Sequence, residues 1–526
     1  MTQRRSSSGV TAFLAFSCFS AFLGAVCFGW STGVINNPKA SIVRLINEST
    51  AAHYGVQLTA YTADVLFSVV VSMFAVGGMI GALVSGYWAE RLGRRNGMLV
   101  NSGVGVVAAL LMSVAKPAGS FEMLIIGRLL IGFCSALYTG LVPIYLAEIA
   151  PRQLRGGIGV LKQLGVVTGL LLSQALSIQQ ALGGPQLWPI LFAIAGLPSV
   201  LQLACLPACL ETPRHLLLTR HDEAAARSAL CQLRGVDKGD SEDKSIDEEL
   251  VEIRSELDGQ TGQEQRQGCS RLAAQWRPLI VGIVLHLSQQ WSGINVIFYY
   301  SADLFQGVGA SESAAQLATI AVGAIMVVMT LVSVPLMDRA GRRTLHLAGL
   351  AGITVASALF TVLFSVGQQQ KVNGAVPAGL AGGSIASALL VVVFFAIGPG
   401  SIPWMMMSEM FPQDSRSAAN AVGVLVNWLA NFAVGMLFPV LLDGLGSLVF
   451  VPFTVLTAAF LALLFLRMPE TKGRSIDQIV ASFSRHGDRG GGSVSPEIAE
   501  PASEATVILG STGLNSGRPG SGGSYT

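Results

Sequence analysis

Among the side-chain amides inside otherwise apolar stretches, six gather in three of those stretches: Gln163, Gln289, Gln290, Asn295, Asn427 and Asn431. A side-chain amide donates and accepts from one group, so a gathering of them could hold a neutral molecule that carries many hydroxyls. Asn427 and Asn431 are four residues apart and share a helix face, with Trp428 beside them. Buried Asn and Gln also simply join helices; the case for binding is that these six fall in three stretches. Carboxylates lie elsewhere. Of the 31 Asp and Glu, none stands at the centre of an apolar stretch; Asp64, Asp303, Glu148 and Glu409 lie near the ends. No Ser-His-Asp arrangement, metal-ligand cluster or phosphate-binding loop appears, so the sequence points away from an enzyme and implies no metal and no cofactor.

The stretches that position these residues have the length of membrane spans. The 526 residues are 51% hydrophobic and 12% charged, against about 25% charge in ordinary globular domains. Counting apolar runs of about 20 residues predicts twelve helices: 9 to 32, 62 to 88, 97 to 115, 121 to 144, 156 to 178, 187 to 209, 278 to 301, 314 to 337, 344 to 366, 384 to 407, 417 to 441 and 447 to 467. Arg4 and Arg5 ahead of the first run could mark a secretory signal, but its length and the eleven runs that follow favour a helix. The expected fold is therefore an all-α membrane protein. Residues 1–8 form a cytoplasmic N-terminus, 9–209 a six-helix half, 210–277 a cytoplasmic loop with short helices, 278–467 the second half and 468–526 a cytoplasmic tail, disordered from about 487, where Gly, Ser and Pro abound.

With both termini cytoplasmic, the outer loops hold Lys39, Arg44, Lys116 and Lys371, and Arg128 lies near the outer part of the fourth span. The rest of the 33 Lys and Arg fall inside or at inner helix ends, as the positive-inside rule requires. Asn47-Glu48-Ser49 in the first outer loop is a glycosylation sequon. The seven Cys follow no zinc or disulfide spacing and read as small core residues. A net charge of +2 suggests no nucleic-acid partner; the lipid bilayer is the partner that composition implies.

Three patterns occur twice, about half the chain apart. Glu90-Arg91-Leu92-Gly93-Arg94-Arg95 returns as Asp338-Arg339-Ala340-Gly341-Arg342-Arg343; Glu148 and Arg155 return as Glu409 and Arg416; Glu211-Thr212 returns as Glu470-Thr471. The repeats predict two parallel six-helix halves around a midplane site. Together with Pro143-Ile144-Tyr145-Leu146-Ala147-Glu148, Gln289-Gln290-Trp291-Ser292-Gly293-Ile294-Asn295 and Pro469-Glu470-Thr471-Lys472-Gly473-Arg474, they make the chain resemble the sugar porters of the major facilitator superfamily. The likeness runs from about Phe28 to Ile479 and is greatest to animal facilitative hexose carriers.

The resemblance implies a hexose site at Gln163, Gln289, Gln290, Asn295 and Asn427, with Trp404 as an aromatic floor and Phe28, Phe395 and Trp428 as walls; rings of this kind cover the apolar faces of a pyranose. It implies gates at Tyr299 and Tyr300 and at Gly398, Pro399, Gly400 and Pro403, where two Pro and two Gly loosen a helix. It also implies a cytoplasmic charge latch between the halves in the outward-open state, built from Glu90, Arg91, Arg94, Arg95, Glu148, Arg155, Glu211, Asp338, Arg339, Arg342, Arg343, Glu409, Arg416 and Glu470. Proton-coupled sugar porters carry an Asp in the first span where this chain has Ser31, which cannot carry a proton near neutral pH; Arg128, the partner of that Asp, is then expected to bond backbone carbonyls or water. These points favour glucose or fructose uniport over proton symport of a hexose or polyol, and leave a non-transporting sugar receptor as a remote alternative. Glucose-selective members have Glu, Asn and Gln where this chain has Ala396, Met326 and His286, which implies a relaxed choice between glucose and fructose.

Overall fold

The computed structural model describes residues 10–151, 153–236, 244–258, 272, 275–371, 375–474 and 476–485. The N-terminus up to residue 8, the tail from 487 and the Asp338 side chain lie outside the described residues. Helices account for nearly all the described structure: α1 (Ala12–Gly33), α2 (Lys39–Tyr54), α3 (Ala60–Leu92), α4 (Arg94–Val114), α5 (Glu122–Ile149), α6 (Arg155–Leu176), α7 (Trp188–Ala195) and α8 (Leu197–Cys205), then α9 (Pro213–Leu218), α10 (Glu223–Arg234) and α11 (Lys244–Asp258). The second series is α12 (Trp276–Gln290), α13 (Ile294–Gly307), α14 (Glu312–Ala340), α15 (Arg342–Gln369), α16 (Ala378–Ile397), α17 (Ile402–Glu409), α18 (Gln413–Leu445), α19 (Val451–Arg467) and α20 (Ile476–Arg485).

Ten segments are long and apolar enough to cross a membrane by length and composition. The pair α12–α13 and the shorter apolar α19 complete a set of twelve. Thr11, Thr59 and Ser311 cap α1, α3 and α14, each hydroxyl accepting the N–H three residues on, which satisfies one of the donors a helix start leaves open. The charged middle block supplies α9 to α11. The loop between the first two spans is more ordered than its sequence suggests. It contains α2, with Asn47 exposed and Ser49 buried.

Three spans are broken. The seventh stops at Gln290 and restarts at Ile294, where Gly293 adopts φ 82°, a left-handed conformation that costs a residue with a Cβ about 1 kcal/mol or more. The tenth breaks between Ile397 and Ile402; Pro399 has no N–H to continue the ladder. The second of these breaks falls where Gly398, Pro399, Gly400 and Pro403 are expected to loosen a helix. The sixth, expected as one helix over 187 to 209, instead divides at Gly196 into α7 and α8, with Pro198 at the start of the second piece. The two halves meet along α3 against α18 and α6 against α14, leaving a cavity between α1, α6, α12–α13, the α16–α17 break and α18.

Candidate functional site

The cavity encloses about 820 Å³ when the open space at its mouth is counted. The first half contributes Phe28, Thr32, Phe74, Thr139, Lys162 and Gln163 to its wall. The second half contributes Gln289, Gln290, Asn295, Tyr299, Met326, Phe395, Gly400, Trp404, Asn427, Trp428 and Asn431. No Asp or Glu is among the lining residues.

The amides of the second half form one network. Gln289 Nε2 donates to the Pro399 and Gly400 carbonyls at 2.7 and 2.9 Å, so the break between α16 and α17 is held open by a side chain from α12. Gln289 Oε1 accepts from Asn427 Nδ2 at 2.6 Å, and Gln290 Nε2 donates to Asn427 Oδ1 at 2.8 Å. Asn295 donates to Gln290 Oε1, and Tyr299 donates its hydroxyl to Asn431 Oδ1 at 3.1 Å. These groups satisfy one another, so a hydroxylated ligand exchanges one set of hydrogen bonds for another. Each exchange leaves a small net gain of about 1 kcal/mol, which suits a site that must also release what it binds. Apolar walls flank the network. Trp428 lies 6.1 Å from Phe28 and 5.6 Å from Phe74 between ring centres, joining rings of both halves.

The charged repeats behave differently. Gly93 and Gly341 adopt φ 89° and 86°, and a Cβ at either would stand 2.3 Å from Glu211 Oε2 or 2.6 Å from Glu470 Oε2. This bare turn lets Glu211 accept the backbone N–H of Arg94 and Arg95 at 2.9 and 3.1 Å, and Glu470 those of Arg342 and Arg343 at 2.9 and 3.1 Å. Each carboxylate therefore sits on the positive start of α4 or α15. Arg94 reaches Glu148 at 2.8 Å and Arg342 reaches Glu409 at 3.3 Å. Arg95 donates to the Leu206 and Pro207 carbonyls, Arg343 to Phe465 and Arg416 to Phe411; Arg91 bonds Tyr87, and the Arg339 carbonyl accepts from Lys472.

A model described as "Sugar (and other) transporter" matches residues 17–483. The chain belongs to the sugar transporter family. It is 42% identical to the bovine solute carrier family 2, facilitated glucose transporter member 4, over 485 residues, covering 90% of this chain and 92% of that one. It is 41% identical to human member 3 over 505 residues, covering 95% and 99%. The fold matches the xylose transporter XylE from E. coli in a partially occluded inward-open conformation, with a TM-score of 0.73 at 24% identity over 88% of this chain and all of that one. This sugar transporter is a multi-pass membrane protein with the major facilitator fold, and it is not an enzyme.

Within the transporter, all nine residues expected to touch sugar line one cavity. Of those expected to gate it, Tyr299 and Gly400 line the cavity. Tyr300 stands outside and donates to the Gly435 carbonyl at 3.0 Å; Pro403 opens α17 and Gly398 caps α16. The described bonds of the charged residues expected to join the halves stay within one half: backbone N–H groups at helix starts of the same half hold Glu211 and Glu470, and Arg94 and Arg342 reach Glu148 and Glu409. Of the three positions read as selectivity departures, Met326 lines the cavity, while Ala396 and His286 do not. His286 lies behind the wall, edge-on to Trp404 at 5.0 Å between ring centres, with Nδ1 3.1 Å from Asn427 Nδ2. Arg128 is wholly buried and donates to the Ser31 and Val71 carbonyls at 2.6 and 3.4 Å, the carbonyl bonding expected once Ser31 replaces Asp. Sequence reasoning missed Lys162, Thr32 and Thr139. Lys162 is legible as the one cation standing well inside a predicted span beside a candidate site residue.

Proposed function

We propose that this transporter is a facilitative carrier that moves glucose, fructose or both down their gradient by alternating access, in the cell membrane and with both termini cytoplasmic. The observation that carries the reading is a cavity walled by six side-chain amides and several aromatic rings from both halves, with no carboxylate among its lining residues. Neutral hydroxyls match amides, and a cavity without a titratable acid lacks the usual means of coupling sugar to a proton. The relatives named as facilitated glucose transporters support the substrate class. Arg128, engaged with the Ser31 carbonyl, favours uniport over the proton coupling stated for XylE. Because Ala396 and His286 stand off the cavity and Met326 offers no hydrogen bond to a hydroxyl, discrimination between the two hexoses should be modest.

Uptake of labelled hexoses and polyols into proteoliposomes holding no preloaded sugar, with and without an imposed pH gradient, tests this. The expected result is equilibrative uptake of glucose and fructose at the same final level in both conditions. Accumulation above equilibrium under the gradient refutes uniport; uptake of polyols alone refutes the hexose assignment.

A further inference from the structure

Lys162 stands about two turns inside α6, beside Gln163, and its ammonium lies 5.4 Å from the centre of the Trp404 ring across the cavity. Both residues line that cavity. Seven residues of helix separate Lys162 from the start of α6, a rise of about 10 Å, yet the side chain is directed to an aromatic ring of the other half. Among the described residues, this aromatic face is its one partner; no carboxylate stands within ion-pair distance. The charge is not offset elsewhere in the wall, since the lining contains no acid. A second cation reinforces it: the Arg128 guanidinium lies 4.6 Å from the ring of Phe74, itself a lining residue, and its bonds go to neutral carbonyls. A cation held within a span without a counter-ion is costly, and such residues mark the path of something that pairs with them.

We propose that the cavity also takes a monoanionic sugar acid, a hexose ring bearing one carboxylate such as a hexuronate, with the carboxylate on Lys162 and the ring hydroxyls on the amides. This inference rests on the hexose-carrier reading of the same cavity. The carboxylate would supply the missing counter-ion, and the pair would sit in the dehydrated cavity with less penalty than the ammonium alone. One accessible ammonium balances a single negative charge. A phosphate ester would bring a second, and Arg128 stands behind Phe74 with its guanidinium already bonded to carbonyls.

Equilibrium binding of labelled D-glucuronate, uncharged D-glucuronamide, D-glucose and D-glucose 6-phosphate to the full chain in nanodiscs at pH 7 tests the proposal. Glucuronate should bind about tenfold or more tightly than glucuronamide, the margin of a charge-assisted bond over a neutral one. Lys162→Gln should collapse that ratio to about one, and Lys162→Arg should preserve it. Equal binding of the acid and the amide by the native protein overturns the proposal. So does tighter binding of the phosphate ester, or a ratio that survives Lys162→Gln. Glucose binding with an acid-to-amide ratio of one leaves the hexose reading standing while this one falls; Lys162-dependent glucuronate binding without glucose binding does the reverse. Binding of none of the four removes both.

Discussion

On the face of the molecule opposite the two helix starts held by Glu211 and Glu470, the halves are joined by a clasp whose strength can be estimated. Lys39 on α2 lies 2.7 Å from Asp303 on α13 and 2.9 Å from Asp64 on α3, so Asp303→Asn removes the charge pair that crosses between halves and leaves the other. At 2.7 Å the bare attraction is about 1.5 kcal/mol at the dielectric constant of water and about 6 kcal/mol at an effective value of 20. The side chains are 22% and 34% exposed, which draws the net value down to about 1 kcal/mol, near that of well-placed exposed pairs. A loss of that size favours separation of this face by about fivefold. Asn36 is the stronger tie. Its amide donates to the Phe298 carbonyl and Ser301 hydroxyl at 3.1 and 2.7 Å and accepts from the Ala302 N–H at 3.1 Å. Three buried bonds of roughly 1 kcal/mol each make Asn36→Ala worth about a hundredfold. Double electron–electron resonance between spin labels at Glu48 and Glu312, both exposed, should reveal a longer-distance population that grows in Asp303→Asn and grows further in Asn36→Ala. Burial lowers the Lys39 pKa, but the Asp303 and Asp64 carboxylates outweigh it and raise the value above the usual lysine range. A raised pKa means that the clasp is fully present below the unfolded value of about 10.4 and is lost only as pH climbs past the folded value, so the Asp303→Asn effect should be the same at pH 6 and pH 9. Unchanged distances in both variants would refute the clasp, as would an Asp303→Asn effect that disappears at either pH.

Gln289→Ala removes two donors from the α16–α17 break and one acceptor from Asn427; at roughly 0.5–1.5 kcal/mol per bond, hexose uptake should fall at least about tenfold, and Asn295→Ala should act in the same direction. Uptake assays paired with size-exclusion profiles check this, and unchanged kinetics in both variants would remove the proposed site. Glu470→Gln weakens the bonds to the start of α15 and breaks a charge–dipole contact, so thermal unfolding in detergent should shift down by an amount corresponding to about 1–2 kcal/mol; an unshifted transition argues against the role given to Glu470. Burial lowers the pKa of His215, the Glu211 carboxylate pulls the other way, and Arg94 and Arg220 add to the lowering. With the folded value below the unfolded value of about 6.5, the unfolded chain binds more protons and stability declines as pH falls through that region. His215→Gln should flatten the melting curve's dependence on pH between 5 and 7, and an unaltered dependence counts against this account.

Length and polarity made the spans legible, since a helix must cross about 30 Å of hydrocarbon whatever it packs against. The break at Gly293 was legible for a similar reason: a Ser-Gly pair amid apolar residues has a local conformational meaning. Gly196 carried no comparable signal, because a lone Gly inside a span is common. The amides were found through their rarity in apolar sequence, and the structure gathers them around one cavity. What periodicity could not give is which side of a wall a residue occupies. His286 and Met326 belong to neighbouring spans of similar character, yet one lies behind Trp404 and the other lines the cavity. The partners of Glu211 and Glu470 were likewise hidden, because they are backbone N–H groups and sequence displays side chains.

That anchoring of Glu470 fixes where the chain can be shortened or extended. Glu470 lies beyond the end of α19 yet closes the start of α15, more than a hundred residues earlier in the chain. The folded unit therefore does not end with its last span. A truncation or fusion joint placed immediately after Arg467 would remove a fastener from the ninth span, whereas one placed beyond Arg485 would leave every contact described here in place. The same reasoning applies to opening the middle loop: a cut between Cys205 and Glu211 would free the start of α4, and one after Arg234 would not.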